Sequence, residues 1–144
     1  MNPTFIYNDG GRNEAGFSGS TRDCVCRAIA IASQHPYDEI YNLINEFSKR
    51  ERIGSRKSKC SSARNGVYKF TQKKVMEKLG ARWTPLMTIG SGCKVHLTPS
   101  ELPSSGRYVL AVSKHLCAWI DGNLHDTYDC SRNGTRCVYG YWKF

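Results

Sequence analysis

The two halves of the chain carry different hydrophobic periodicities, and this contrast constrains the fold more than any other feature. Between residues 23 and 80, apolar residues recur at the spacing of helices, whereas beyond residue 106 short runs are typical of strands. Helices followed by strands indicate an α+β protein, in which the helices pack on an antiparallel sheet. The chain has 144 residues and no internal repeat or break in composition, so we expect one domain over residues 1–144.

The same patterns predict the individual elements. Helices are predicted over residues 23–32, 36–49 and 71–79, and strands over residues 5–7, 107–112, 115–120, 124–128 and 138–142. The first helix is rich in alanine and apolar on nearly every side, which is typical of a helix buried all round. Thr21 or Asp23 has a side chain suited to capping its first turn. Prolines and glycines between residues 81 and 106 predict turns.

A two-residue turn at residues 121–122 would fix the pairing of the strands on either side of it. His115 would then lie opposite Tyr128, and Asp126 would share the face of the sheet that carries His115. A three-residue turn would instead place Asp129 opposite His115. Asp126 is therefore the predicted partner of His115, with Asp129 as the alternative.

Cys24 opens the first helix, where a thiol is suited to nucleophilic attack. The unpaired N–H groups and the positive end of the helix macrodipole stabilise a thiolate at that position. Most free cysteines are small buried hydrophobic residues, and Cys26 in the same turn is a rival nucleophile. His115 and Asp126 supply a base and a group that orients it, which an activated thiol needs. Their order along the chain predicts a triad of Cys24, His115 and Asp126.

The residues around this triad resemble the motifs of papain-like cysteine hydrolases. The resemblance rests on Asp23-Cys24-x-x-Arg27-Ala28-Ile29-Ala30, Lys114-His115 and Asp121-Gly122-x-x-His125-Asp126-Thr127. It implies a papain-like α+β fold, with N-terminal helices packed on a C-terminal antiparallel sheet and the nucleophile at the start of the central helix. It also implies a hydrolase of the peptidase, isopeptidase or amidase kind that acts through an acyl-thioester.

A second resemblance covers nearly the whole chain. Residues 8–12, 90–97, 101–103 and 136–142 are similar to segments of short tailed-phage and prophage proteins. This resemblance implies a phage source, with the host cytoplasm as the location. A protein or peptide of the host is then a candidate substrate.

The sequence departs from the papain-like pattern because no glutamine lies upstream of Cys24 to complete an oxyanion hole. The backbone N–H of Cys24 and a side chain from the preceding loop are the expected donors, with Asn8, Ser20 and Thr21 as candidates. Two alternatives to the hydrolase follow. One is a non-catalytic basic phage protein that binds a host protein or nucleic acid, and the other is an acyltransferase with the same triad.

The chain is basic, with 21 Lys and Arg residues against 12 Asp and Glu and a net charge of +9. Such a charge attracts nucleic acid or acidic protein surfaces, so nucleic acid is a secondary candidate partner. The densest cluster lies between residues 49 and 66, which we expect to be an exposed connection. The candidate basic patch consists of Arg50, Arg52, Arg56, Lys57 and Lys59.

The seven cysteines are an odd number and no secretion signal is seen, so we expect a reducing cytoplasmic location and mostly free thiols. Cys130 and Cys137 could still pair across a turn. The cysteine and histidine spacings are too scattered for a zinc site, and we expect neither a metal nor another cofactor. No run approaches the roughly 20 apolar residues that a membrane span needs, so we expect no membrane partner.

Overall fold

The computed structural model of the chain describes residues 2–19, 21–53, 59–88 and 90–144. The described residues contain three helices, α1 (Cys24–Ser33), α2 (Tyr37–Ser48) and α3 (Lys69–Lys78). The strands are β1 (Thr4–Tyr7), β2 (Arg82–Pro85), β3 (Arg107–Val112), β4 (His115–Ile120), β5 (Asn123–Asp126) and β6 (Gly140–Lys143). The fold is α+β, as the order of periodicities predicted.

The strands form one mixed sheet in the order β1-β5-β4-β3-β6-β2. All neighbouring pairs are antiparallel except β1 and β5, which are parallel. The prediction of a wholly antiparallel, C-terminal sheet was therefore wrong at both edges. The turn predicted around Pro85 is instead the end of β2, and an edge strand tolerates proline because one side of its backbone needs no partner.

The hairpin of β4 and β5 has the predicted register. Ala118 pairs with His125, and Ile120 pairs with Asn123. The turn residues Asp121 and Gly122 have φ values of 48° and 81°, as a two-residue turn of type I′ requires. The strand register predicted from a two-residue turn at residues 121–122 is confirmed.

The sheet separates two apolar clusters, one packed against each of its faces. On the helical face, α1 packs mainly against β4 and also against α2 and β3. This cluster includes Ile29, Ile40, Ile44, Val75, Met76 and Val109. The opposite face is covered by loops, and its cluster includes Leu97, Leu102, Leu110, Trp119, Leu124 and Val138. Burying each such aliphatic side chain is worth about 1.5–3 kcal/mol.

The cysteine pairing differs from the one considered from the sequence. Cys137 forms a disulfide with Cys93, with the two Cα atoms 5.7 Å apart, and Cys130 is a free thiol. The pairing follows from tertiary contacts, because His96 and Cys137 form a β-bridge that brings residue 93 close. The other free cysteines are Cys24, Cys26, Cys60 and Cys117.

None of the described helices has the length and apolar character required to cross a membrane.

Candidate active site

Cys24 is the first residue of α1, and the turn around it is open at its N-terminal end. Asp23 occupies the N-cap position, but its carboxylate makes no capping hydrogen bond. The prediction that Asp23 or Thr21 caps the helix was therefore wrong, because the Thr21 hydroxyl donates to Asp23 instead, at 2.7 Å. The first N–H groups of α1 are consequently not capped by the Asp23 side chain.

His115 and Asp126 form a close pair at the end of the sheet where β4 begins and β5 ends. His115 Nε2 lies 2.6 Å from Asp126 Oδ2, and their side chains are 7% and 3% exposed. The backbone N–H of Thr127 donates to Asp126 Oδ1 at 2.7 Å. The centroid of the Tyr128 ring, which follows β5 in the chain, lies 5.3 Å from the centroid of the His115 ring. The imidazole is thus contacted by the Asp126 carboxylate at Nε2 and by the Tyr128 ring.

Asp129, the alternative partner, forms its side-chain hydrogen bonds within its own loop. Its Oδ1 atom accepts hydrogen bonds from Ser131 N at 2.9 Å and from the Ser131 hydroxyl at 2.6 Å. The carboxylate thus stabilises the loop that follows β5. Of the two candidates, the structure brings Asp126 to His115.

The Cys24 thiol lines the same cleft as His115. Burial alone would raise the pKa of the Cys24 thiol, but a hydrogen bond with His115 and one with the Leu116 backbone lower it below the ordinary value of 9.0. The positive charges of His115 and Arg27 act in the same direction. A thiolate is therefore favoured at Cys24.

The pKa of the His115 imidazole is shifted upward, in the direction opposite to that of the Cys24 thiol. Burial would lower the pKa of His115, but its hydrogen bonds with Asp126, Cys130 and Cys24 raise it to about 12. Since the thiol pKa falls and the imidazole pKa rises, the interaction between the two groups favours the thiolate and the imidazolium. This is the charge distribution that a nucleophilic cysteine needs.

Cys26, the rival nucleophile, is a core residue. Its side chain is fully buried, and its thiol contacts the Tyr37 carbonyl oxygen at 3.8 Å. Burial raises the pKa of Cys26 to about 12, so its thiolate is disfavoured. In the first turn of α1, Cys24 is thus the residue with the properties of a nucleophile.

Sequence reasoning missed a buried ionic network beneath the triad. The Asp23 carboxylate accepts a 2.6 Å hydrogen bond from the Tyr37 hydroxyl and forms ion pairs with Arg12 and Arg27. Arg27 also lies 3.5 Å from Asp126. The network therefore connects the start of α1 to the carboxylate that orients His115. The i, i+4 spacing of Asp23 and Arg27 was the available signal.

Two further thiols, Cys130 and its neighbour Cys117, lie near His115. The ligand atoms of His115, Asp126 and Cys130 are all within 4.8 Å of one another, which is close enough for a metal ion to bind them. A cation there would compete with the hydrogen bond between His115 and Asp126. A hydrogen bond with Cys117 and the nearby His115 lower the pKa of Cys130, while the same contact raises the pKa of Cys117. No local sequence signal connects Cys130 to His115.

The predicted oxyanion donors are engaged elsewhere. The Asn8 amide lies 3.2 Å from the His125 ring, and its oxygen accepts a hydrogen bond from the Gly10 backbone. Thr21 donates to Asp23, as described above. Ser20 lies outside the described residues. The backbone N–H of Cys24 remains the oxyanion donor that the helix start itself provides.

The described members of the candidate basic patch are surface residues. Arg50, Arg52 and Lys59 are exposed, and the Arg50 guanidinium lies 4.7 Å above the Phe47 ring. Arg56 and Lys57 lie outside the described residues. None of the three described members lines the cleft at Cys24.

Comparison of the chain with protein-family models, with curated proteins and with solved structures found no match. The chemistry of this site is therefore interpreted from its geometry and from the residues that form it.

Proposed function

We propose that this protein is a papain-like cysteine hydrolase that acts on an amide, ester or isopeptide bond through an acyl-thioester on Cys24. One observation carries the proposal: the thiol at the start of α1 lines the same cleft as an imidazole whose Nε2 atom lies 2.6 Å from a buried carboxylate. A structural cysteine has no need of such an arrangement. The resemblance to papain-like motifs points to the same chemistry.

The reaction follows from the charge state of the pair. The Cys24 thiolate attacks the carbonyl carbon, a C–S bond forms, and the carbonyl oxygen takes the electron pair. The bond to the leaving amine or alcohol then breaks as the His115 imidazolium gives that group a proton. Neutral His115 next removes a proton from water, whose oxygen attacks the thioester. The C–S bond breaks, the acid product leaves, and thiolate and imidazolium are restored.

Asp126 has a positioning role in this scheme. Its carboxylate fixes the imidazole through Nε2 and stabilises the imidazolium, which leaves the remaining ring nitrogen available to exchange a proton with the thiol. The backbone N–H of Cys24 is suited to stabilise the oxyanion, because the start of α1 offers the positive end of the helix dipole.

Acylation of Cys24 by p-nitrophenyl acetate tests the proposal. We expect rapid acetylation of Cys24, detected by mass spectrometry of the digested protein, with the other partly exposed thiol, Cys60, as the internal reference. His115→Ala should slow acetylation of Cys24 to the rate of Cys60 without changing Cys60 itself. Equal rates at the two thiols in the unmodified protein would contradict the proposal.

An acyltransferase would share every step up to the acyl-enzyme, with an amine in place of water. Adding a simple amine such as glycinamide during turnover, and measuring the ratio of amide to acid products, separates the two activities. A product that is mostly amide at low amine concentration would favour the transferase.

A non-catalytic basic protein is the second candidate, and the net charge of +9 is the observation that favours it. If the phage resemblance reflects descent, the partner or substrate is a host protein in the host cytoplasm. In that case a binding activity of the protein would be unchanged by Cys24→Ala, whereas hydrolysis would be abolished.

A further inference from the structure

A cleft of about 840 Å³ extends from the thiol of the candidate triad across the end of the sheet. Cys24 and His115 lie among the residues that line it. Its other walls come from residues 65–69, the exposed side of α3, the turn between β3 and β4, and the neighbouring strands β2 and β6. A volume of this size is in the range of ligand-binding clefts, and it accommodates several residues of an extended chain.

The cleft has an uneven distribution of charge. Four cationic side chains line it, those of Arg22, Lys69, Lys73 and Lys114, and no carboxylate appears among its described lining residues. Within the described part of the chain, none of these four cations has a carboxylate within salt-bridge distance. Lys69 and Lys73 are one turn apart on α3, so they present two charges to the same wall. The cleft is therefore complementary to negative charge.

The rest of the lining is mostly apolar and includes three aromatic rings that are unusually exposed. Trp83 is 42% exposed, Tyr68 is 48% exposed and Tyr139 is 40% exposed. Trp83 is held in place by Trp142, whose ring centroid lies 5.3 Å away, and by the bare backbone of Gly140 beneath it. Rigid aromatic surfaces bury apolar side chains of a partner at low entropic cost.

We infer that the cleft binds an extended polypeptide segment in which acidic side chains flank an apolar one, and that such segments are the substrate class. The apolar side chain packs against the aromatic wall, while the flanking carboxylates approach the lysines of α3 and Lys114. The carbonyl between them then lies over Cys24. The inference rests on the proposed function for the reaction, although the recognition itself requires no thiol.

Nucleic acid is the other polyanion that such charges attract, and two observations favour the peptide. The lining between the cations is mainly apolar, whereas a phosphate backbone needs polar contacts at each phosphate. The cleft also ends at a thiol and an imidazole, a pair that attacks acyl carbons, which nucleic acids do not offer at their backbone.

Binding to the Cys24→Ala variant tests the inference without any turnover. The probes are three fluorescein-labelled peptides of equal length with a central leucine flanked by glutamate, glutamine or lysine, measured by fluorescence anisotropy. We expect the glutamate peptide to bind about tenfold more tightly than the glutamine peptide at low salt, with the advantage lost as salt is raised. The lysine peptide should bind most weakly.

Two matched double variants on α3 test whether its cleft-lining lysines recognise the acidic side chains. Lys69→Glu with Lys73→Glu should remove the preference for glutamate, whereas Lys74→Glu with Lys78→Glu changes the net charge equally but leaves the cleft intact, and so should retain the preference. Thermal unfolding checks that both variants fold. An equal loss in the two pairs, no preference among the peptides, or tighter binding of single-stranded DNA of matched charge would overturn the inference.

The outcomes for binding and for chemistry are separable. Selective binding of the glutamate peptide without acetylation of Cys24 in the unmodified protein would contradict the proposed hydrolase and support the binding inference. Acetylation of Cys24 without any charge preference in peptide binding would support the proposed hydrolase and contradict the binding inference.

Discussion

His115 is the residue through which the thiol, the carboxylate and the sheet are connected. Its side chain is almost fully buried, yet it is favoured in the charged form, because Asp126 and the neighbouring thiols compensate the loss of hydration. A buried cation of this kind is costly unless it is paired. Replacing either member of the pair therefore changes the charge state of Cys24 as well as the local packing.

The pH dependence of Cys24 alkylation is the first prediction. The pKa of Cys24 is lowered below 9.0 and that of His115 is raised to about 12, so the thiolate and imidazolium coexist between these two values. Iodoacetamide labelling of Cys24 should therefore rise with a midpoint below pH 9.0 and stay at a plateau at higher pH. In His115→Gln, burial is no longer opposed by the imidazole, so the midpoint should move upward.

Peptide mapping by mass spectrometry across a pH series measures both thiols in one experiment. Cys60 supplies the reference profile, because it is partly exposed and lies outside the triad. A Cys24 midpoint equal to that of Cys60, with or without His115, would show that the thiol is not activated.

Asp23→Asn is the second prediction. The carboxylate is fully buried and paired with Arg12 and Arg27, so its loss leaves Arg12 without its carboxylate and leaves Arg27 with only the longer contact to Asp126. Removing one member of a buried ion pair costs about 3–5 kcal/mol of unfolding free energy, and we expect a loss in this range at neutral pH. Urea denaturation provides the measurement. Tyr37→Phe removes only a hydrogen bond to the same carboxylate and should cost about 1–2 kcal/mol.

Acidification should reduce the difference between the Asp23→Asn variant and the parent protein. Burial would raise the pKa of Asp23, but hydrogen bonds with Tyr37 and Thr21 and the charges of Arg27 and Arg12 lower it below 3.8. A lowered carboxylate pKa stabilises the fold above the unfolded value, and the contribution is lost as pH falls through the folded value. A stability difference that is constant from neutral pH to below 3 would contradict this account.

At the residue scale, the sequence led to the correct strand register but not to the environment of the side chains. Two turn residues were enough to number the partners in the β4–β5 hairpin, because a tight turn leaves one register. The approach of Cys130 to His115 depends on the path of the loop after β5. No spacing rule describes such a path, since a loop has no fixed period.

At the scale of elements, β2 and β6 form the aromatic edge of the sheet. Gly140 in β6 pairs with Pro85, and an added Cβ there would lie 2.4 Å from the Trp83 ring and 2.8 Å from the Thr84 carbonyl oxygen. Such distances are far below van der Waals contact, so one of the strands would have to move. Glycine is required here by the close approach of the ring.

Gly140→Ala is the third prediction. We expect a loss of about 1–3 kcal/mol of unfolding free energy, together with a change in near-ultraviolet circular dichroism as Trp83 is displaced. Part of the strain is relieved when the ring is absent. The double variant with Trp83→Ala should therefore be less destabilised than the sum of the two single variants. Strict additivity would show that the ring does not cover Gly140.

The edge strands also show why elements were missed. Arg82–Pro85 has four exposed residues and ends in proline, so it has neither the alternation nor the composition of a typical strand. Its conformation is imposed by pairing with β6. β1 was expected as a strand, but its parallel alignment with β5 is a contact between distant parts of the chain. Local patterns predict such elements better than they predict their partners.

At the scale of the whole molecule, the disulfide between Cys93 and Cys137 joins the long connection before β3 to the segment before β6. The two cysteines are 44 residues apart in sequence. A loop of this length corresponds to about 4 kcal/mol in the chain-entropy model, as an upper estimate. The loops that cover the second face of the sheet lie within or beside this closed segment.

Reduction of this disulfide is the fourth prediction. A reducing agent should lower the midpoint of urea unfolding, and the Cys93→Ser, Cys137→Ser variant should unfold at the lower midpoint in either condition. Cys117→Ser with Cys130→Ser, which keeps the disulfide, should remain sensitive to the reducing agent. An unfolding midpoint that does not respond to reduction in the parent protein would show that the bond does not stabilise the fold.

The overall architecture was predictable to the level of α+β, because helical and strand periods occupy different parts of the chain. The order of the strands was not, since β6 inserts between β3 and β2 and β1 joins the opposite edge. Sheet order depends on which surfaces bury the most apolar area together, and a single sequence records this only indirectly.

The parallel pairing of β1 with β5 has a consequence for synthesis on the ribosome. Residues of β1 and the start of α1 emerge early, but their partners in β4 and β5 are added only after most of the chain described here has been translated. During that interval Cys24 has no imidazole beside it and remains an ordinary thiol. In the proposed hydrolase, the Cys24 thiol is therefore activated only when the β4–β5 hairpin is complete.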